Sequence, residues 1–108
     1  MDPKKTEDTT AGMRIIAAQE LAILLDKMQL SLDTLIAQYR LDEVAVDLIN
    51  KIQTAWKQYV DAELKLVEHD WEDGTICPLQ ISAKYQELAI ARTLELDKCI
   101  DIKKNHHG

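Results

Sequence analysis

Residues 13–39, MRIIAAQELAILLDKMQLSLDTLIAQY, decide the fold. Apolar side chains recur there every three or four residues, which is the spacing that places them on one face of a helix. This stripe consists of Ala17 or Ala18, Leu21, Leu24, Leu25, Met28, Leu32, Leu35 and Tyr39. Ile23 and Leu30 lie off the stripe, so the helix is expected to be covered on more than one side.

Two further helices follow in the sequence. Asp42 is placed to cap a second helix, although one long kinked helix is the alternative because Gly and Pro are absent at that point. Pro78 fits the first turn of a third helix. The predicted apolar stripe of the second helix is Ala45, Leu48, Ile49, Ile52, Ala55, Trp56, Tyr59, Ala62 and Leu66. That of the third is Ile81, Tyr85, Leu88, Ala89, Leu96 and Cys99.

These helices predict an all-α fold, an antiparallel bundle of three long helices. Residues 1–9 are polar and predict a mobile tail, with Thr9 or Thr10 as the N-cap of the first helix. The bundle domain is expected to span residues 10–102, with the third helix ending near Ile102. Residues 103–108 then form a short tail.

Composition and charge argue against several classes of fold and function. Only 3 Gly and 2 Pro among 108 residues disfavour an all-β fold. The net charge of −6, with no basic stripe, argues against nucleic-acid binding and suits a basic protein partner. No apolar run is long enough for a transmembrane segment. No signal peptide is visible in residues 1–12, which leaves a cytoplasmic protein or a mature exported one.

The titratable residues do not form a recognisable reaction centre. Asp61 and Glu63 are two positions apart and therefore point to different sides of a helix. The same holds for Glu68 and Asp70. His69 has only Asp73 at metal-ligand spacing. We therefore expect no catalytic site, no metal site and no cofactor, and we expect Cys77 and Cys99 to be unpaired.

Three residues of the predicted helices are candidates for structural roles. Trp56 and Tyr59 share the apolar face of the second helix and are expected to pack in the core. Arg92 interrupts the third stripe between Leu88 and Leu96, which predicts a buried guanidinium that needs a partner. Asp61 or Glu63 is the first candidate for that partner, and Asp26 the second.

The segment between the second and third helices is the candidate for recognition. It combines Trp71 with Glu68, Asp70, Glu72 and Asp73. An exposed Trp beside carboxylates suits a basic protein partner. The alternative is that Trp71 closes the end of the core.

The second half of the chain resembles a known family. QTAWKQYVDAE at 53–63 is similar to the Q-x-A-W-x-x-Y-R-D-A core of the LprI-type lysozyme-inhibitor family. Gly74-Thr75-Ile76, Pro78-Leu79 and the series Leu88, Arg92, Leu96 resemble its G-(S/T)-I…L-T-x-x-R-x-x-x-L ending. TTAGM at 9–13 and LDKM at 25–28 resemble its weaker N-terminal pattern.

The resemblance implies a small helical bacterial envelope protein that binds a lysozyme-like cell-wall hydrolase without being an enzyme. The family's cysteines are absent, with Ile16, Leu64 and Lys84 at their positions, and Val60 replaces the motif Arg. The resemblance favours the periplasm, while the missing cysteines leave the cytoplasm as the alternative. The alternative function is a helical protein–protein interaction module that forms a homodimer through apolar residues off the stripes, such as Ile15, Ile23, Leu30 and Ile90.

Overall fold

The chain folds into three long helices and is all-α, as predicted. The computed structural model describes residues 3–71 and 77–105, with side chains from residue 11 onward. The helices are α1 (Pro3–Gln38), α2 (Glu43–Trp71) and α3 (Cys77–Asn105), and the described residues contain no strand. None of the described helices is apolar enough over a sufficient length to cross a membrane.

The sequence predicts four helix ends: the starts of all three helices and the end of the third. Two of them, the starts of α2 and α3, are confirmed. Asp42 caps α2, because its Oδ1 accepts a hydrogen bond of 3.0 Å from the backbone N–H of Ala45. The break at residues 39–42 is real, which excludes the single kinked helix. Pro78 lies in the first turn of α3, where a missing N–H costs little.

Helices α1 and α3 both extend beyond the limits predicted for them at the two ends of the chain. Helix α1 begins at Pro3 and not at Thr9 or Thr10. Helix α3 continues to Asn105, three residues beyond Ile102. A polar composition alone does not end a helix, since Lys, Glu and Thr can all be accommodated in one. The mobility of residues 1–9 and the domain limits stay predictions.

The bundle is a rod of 65 × 23 × 17 Å in which successive helices are antiparallel. Helices α1 and α3 are therefore parallel. Hydrogen bonds fix their register: the Gln86 side chain donates to the carbonyl of Ala17 (3.2 Å), and Ser31 Oγ donates to Asp97 Oδ1 (2.6 Å). These two contacts tie α1 to α3 at well-separated points along the rod.

The core lies along the seam where the three helices meet. Its buried cluster contains Met28, Leu32, Leu35, Ile49, Leu96 and Ile100, with Leu25, Ile36, Tyr39 and Trp56 packed against it. This cluster confirms the predicted stripe of α1 from Leu25 to Tyr39. Ile23 and Leu30, the residues off that stripe, are 62% and 67% exposed. The described residues therefore leave both side chains largely uncovered.

The stripe predicted for α2 is correct at Ile49 and Trp56 and wrong at four other positions. The residues of α2 that are buried are Ile49, Gln53 and Val60. By contrast Leu48, Ile52, Tyr59 and Leu66 are each more than half exposed. Helix α2 has two apolar faces with similar periodicity, and the predicted stripe mixed them. Only the face that carries Ile49, Gln53 and Val60, here called the core face, packs against α1 and α3.

Candidate functional site

The last turn of α2 carries the described part of the predicted recognition segment. Glu68 and Asp70 are exposed, and the Trp71 side chain is 43% exposed. The His69 ring nitrogen Nδ1 lies 3.3 Å from Asp70 Oδ1. Trp71 is therefore partly covered and leaves part of its aromatic surface exposed at the end of α2.

Helix geometry separates the members of this segment. Successive residues of a helix are rotated by about 100°, so residues three apart lie on the same side. Glu68 and Trp71 therefore share one side of α2, whereas Asp70 points to another. Glu72 and Asp73 lie outside the described residues. The structure thus places the carboxylate of Glu68 and the indole of Trp71 on the same side of α2. The carboxylate of Asp70 lies on a different side of the helix.

Among the described residues, no group of three or more His, Cys, Asp or Glu side chains is arranged to hold a metal ion. Cys77 is partly buried and Cys99 is exposed, and both are free thiols. The described surface of this region consists of an aromatic ring and exposed carboxylates.

A second polar feature lies inside the bundle. Arg92 is 8% exposed and Gln53 is 5% exposed, although both are polar. Arg92 Nε donates a hydrogen bond of 3.0 Å to Gln53 Oε1, and its Nη1 lies 3.2 Å from Glu95 Oε2. Gln53 Nε2 in turn contacts the Met28 sulfur at 3.9 Å. One buried pair therefore links α2 to α3 and reaches α1.

The burial of Arg92 was predicted correctly, but its predicted partners were wrong. Asp61 is exposed on α2, and Glu63 instead lies 3.7 Å from Lys84 Nζ on α3. The guanidinium uses a neutral amide in the interior and a carboxylate, Glu95, that is 65% exposed. This arrangement leaves one end of the charged group close to water, which reduces the desolvation that a fully buried ion pair would require.

The other predicted structural residues divide between the two sides of α2. Trp56 packs against the core cluster, as expected. Tyr59 is 51% exposed, so its predicted place in the core is wrong. Gln53 was not predicted as a functional residue, although it has the phase of Ile49 and opens the quoted family motif. That phase indicates that the amide of Gln53 is buried. It does not indicate which residue the amide contacts, because this depends on how α2 and α3 are aligned along their axes.

A shallow groove runs between α1 and α3 on the side away from α2. Its volume is about 390 Å³, and its apolar walls include Leu24, Leu30, Ile90 and Leu94. Lys27 and Asp97 also line it, and Asp97 already accepts the Ser31 hydrogen bond. The groove is open and mixed in polarity, and Ser31 and Thr93 complete its polar lining.

Comparison with known families gives one match. The family described as lysozyme inhibitor LprI matches residues 1–96, which is most of the 108-residue chain. No curated protein and no solved structure matches the chain. The match includes all of α1 and α2, and it includes both residues of the buried Gln53–Arg92 pair.

Proposed function

Because the chain belongs to the LprI family of lysozyme inhibitors, we propose that it binds and inhibits a lysozyme-like cell-wall hydrolase. The family is one of inhibitors and not of enzymes, and the family match over residues 1–96 is the observation that carries the proposal. In this role the chain is a bacterial envelope protein that protects the cell wall from a hydrolase. We place its site of action in the periplasm.

The charge of the chain supports a basic partner. At a net charge of −6 the protein attracts a cationic hydrolase over a Debye length of about 8–10 Å at physiological salt. Such attraction raises the association rate more than it raises the final affinity. A specific contact is then needed to hold the complex together.

We propose the end of α2 as that contact. Trp71 supplies an exposed aromatic ring, the residue type most often found where binding energy is concentrated. Glu68 on the same side and Asp70 on the adjacent side supply carboxylates for Lys or Arg side chains of the hydrolase. Glu72 and Asp73, which follow directly in the sequence, are included in the proposed contact.

The test is a turbidity assay with a bacterial cell-wall suspension and purified lysozymes of several classes. We expect the purified chain to slow the clearing of the cell-wall suspension by at least one class of lysozyme. This inhibition should become weaker as the salt concentration is raised. A variant combining Trp71→Ala with Glu68→Gln and Asp70→Asn should raise the inhibitory concentration at least tenfold. The control, Glu20→Gln with Asp101→Asn, removes two exposed carboxylates elsewhere on the rod and should stay within twofold.

Two outcomes would contradict the proposal at different levels. No inhibition of any lysozyme class at large molar excess would reject the inhibitor function itself. Inhibition that the triple variant leaves unchanged would reject the end of α2 as the contact. Fractionation of the producing cell, followed by detection of the chain in the periplasmic or cytoplasmic fraction, tests the location separately.

A further inference from the structure

Helix α2 carries a second apolar face that the single chain leaves uncovered. We call it the outer stripe, and its members are Leu48, Ile52, Ala55, Tyr59, Ala62 and Leu66. All six are exposed, and the four large side chains are between 51% and 58% exposed. On a helix of 3.6 residues per turn this stripe lies about 110° from the core face. It is therefore separate from the packing against α1 and α3.

The spacing of the outer stripe indicates the shape of what covers it. Its members are four, three, four, three and four residues apart, which is the a/d repeat of a coiled-coil seam. Ile52, Tyr59 and Leu66 take the a positions. Leu48, Ala55 and Ala62 take the d positions. Such a seam receives the side chains of another helix in knobs-into-holes packing.

The order of large and small side chains indicates which helix this is. In an antiparallel pair of helices, a positions of one helix meet d positions of the other. Suppose that two copies of α2 pair about a twofold axis at the height of residue 57 along the helix. Tyr59 then meets Ala55, Ile52 meets Ala62, and Leu66 meets Leu48. Every layer then combines a large side chain with a small one, or two leucines. The stripe is complementary in size to itself when reversed.

The parallel pairing lacks this property. There each residue meets its own copy, so two Tyr59 rings crowd one layer while Ala55 and Ala62 leave voids in two others. Overpacking and voids both weaken an apolar contact. From this pattern we propose that two copies of the chain associate through antiparallel packing of their outer stripes.

The size of the contact is consistent with a specific but modest dimer. From Leu48 to Leu66 the stripe is about 27 Å long. Complete burial of the exposed area of its members in two copies would remove at most roughly 1,000–1,200 Å² from water, which is the size of a weak, reversible interface. At the edge of the stripe Lys51 is paired with Asp47 at 3.0 Å, so its charge is compensated within its own helix. Two copies of charge −6 repel each other, and salt therefore strengthens the pairing.

The dimer uses a face of α2 different from the Trp71 end, so it is independent of the inhibitor proposal. Its salt dependence is also opposite in sign to that of a complex with a basic hydrolase. A dimer that forms in a chain without inhibitory activity supports the pairing and rejects only the inhibitor function.

Sedimentation equilibrium of the full chain, from micromolar to millimolar concentration, tests the pairing through size changes in the stripe. We expect a reversible dimer. Tyr59→Ala and Ala55→Leu should each weaken it at least tenfold, the first by leaving a void and the second by blocking the Tyr59 site. The exchange Ala55→Tyr with Tyr59→Ala re-creates a large–small layer and should recover most of the affinity. Leu94→Ala in the outer groove should have no effect.

Ala55→Leu separates this pairing from unspecific association, because it adds apolar surface. A dimer strengthened by Ala55→Leu, a dimer insensitive to all stripe variants, or a monomer up to millimolar concentration would each reject the proposal. Circular dichroism of every variant verifies that helix content is retained, and retention is expected because the altered residues are exposed.

Orientation is tested by cross-linking in chains whose native thiols are removed by Cys77→Ser and Cys99→Ser. In the antiparallel pairing Ala55→Cys in one copy lies opposite Tyr59→Cys in the other, and a mixture of the two chains should oxidise faster than either alone. Residues 55 and 55 of the two copies are offset along the axis by about four residues, or 6 Å. Faster oxidation of either variant alone would indicate the parallel pairing and overturn the proposal.

Discussion

The buried face of α2 contains a polar side chain, whereas the exposed face of the same helix is apolar. The core face buries an amide, Gln53, and receives the guanidinium of Arg92. The outer stripe leaves leucine, isoleucine and tyrosine side chains in contact with water. Apolar character alone therefore does not decide which side of α2 turns inward. The core face has a specific polar partner on α3, while the outer stripe has no partner within the described part of the chain.

This difference teaches how the bundle selects its alignment. If α2 were rotated to bury the outer stripe against α3, Arg92 would lose the Gln53 acceptor in the interior. An unsatisfied buried donor costs about 1–3 kcal/mol, and more when it is charged. The Gln53–Arg92 contact thus penalises the rotated bundle more than it stabilises the observed one. The apolar surface that remains outside is then available to a second molecule.

The largest expected effect comes from a matched pair of isoleucines on α2. Ile49 lies in the core cluster at 9% exposure, and Ile52 lies in the outer stripe at 54%. Ile49→Ala should lower the free energy of unfolding by about 2–4 kcal/mol, since it removes buried atoms and leaves a cavity. Ile52→Ala should cost less than about 1 kcal/mol. Urea unfolding at low micromolar concentration, where association is negligible, compares the two.

Equal costs for the two substitutions would mean that both faces are buried in the folded single chain. The two faces would then not differ in burial, and the outer stripe would not be available to bind a second copy of the chain. Repeating the measurement at high protein concentration sharpens the result. Only Ile52→Ala should then lose additional stability, because only the outer stripe is covered by association.

An intermediate effect is expected for the buried polar pair. Gln53→Leu should destabilise the chain by about 1–3 kcal/mol, because it leaves Arg92 Nε without its acceptor. Arg92→Leu should also be destabilising, since Gln53 Oε1 then lacks a donor. The double variant should be more stable than the sum of the single effects predicts, because no buried polar group remains unpaired.

A double-mutant cycle in urea measures this coupling. The matched control is Gln58→Leu, which changes an exposed glutamine of the same helix and should alter the free energy of unfolding by less than about 0.5 kcal/mol. Strict additivity of Gln53→Leu and Arg92→Leu would show that the hydrogen bond between them does not stabilise the core face.

The sequence predicted the fold and the buried face of α1. It did not predict the buried face of α2, because two apolar stripes on that helix have the same period. Helix α1 has a single continuous stripe, so Met28, Leu32 and Leu35 could be placed in the core from spacing alone. Helix α2 has two stripes, and a periodic pattern carries no information about which of them faces inward.

The candidate site divides in a similar way. The burial of Arg92 was predictable because it interrupts an apolar stripe, whereas its partner was not. The choice between Gln53, Asp61 and Glu63 depends on the axial alignment of α2 with α3, which side-chain periodicity does not specify. The sequence left open whether Trp71 is exposed or closes the end of the core, and its proposed partner comes from the family and not from the pattern.

The smallest expected effect concerns the N-cap of α2. Asp42 Oδ1 accepts the Ala45 N–H at 3.0 Å, and Asp42→Ala removes this cap. The loss should be about 1 kcal/mol, typical of an N-cap substitution. Asp61→Ala, an exposed carboxylate in the interior of the same helix, should change stability by less than about 0.5 kcal/mol. Because the cap stabilises the helix as a whole, its loss should weaken the folded chain without shifting the contrast between Ile49→Ala and Ile52→Ala. If that contrast shrinks in the Asp42→Ala background, the N-cap and not the Gln53–Arg92 pair selects the inward face of α2.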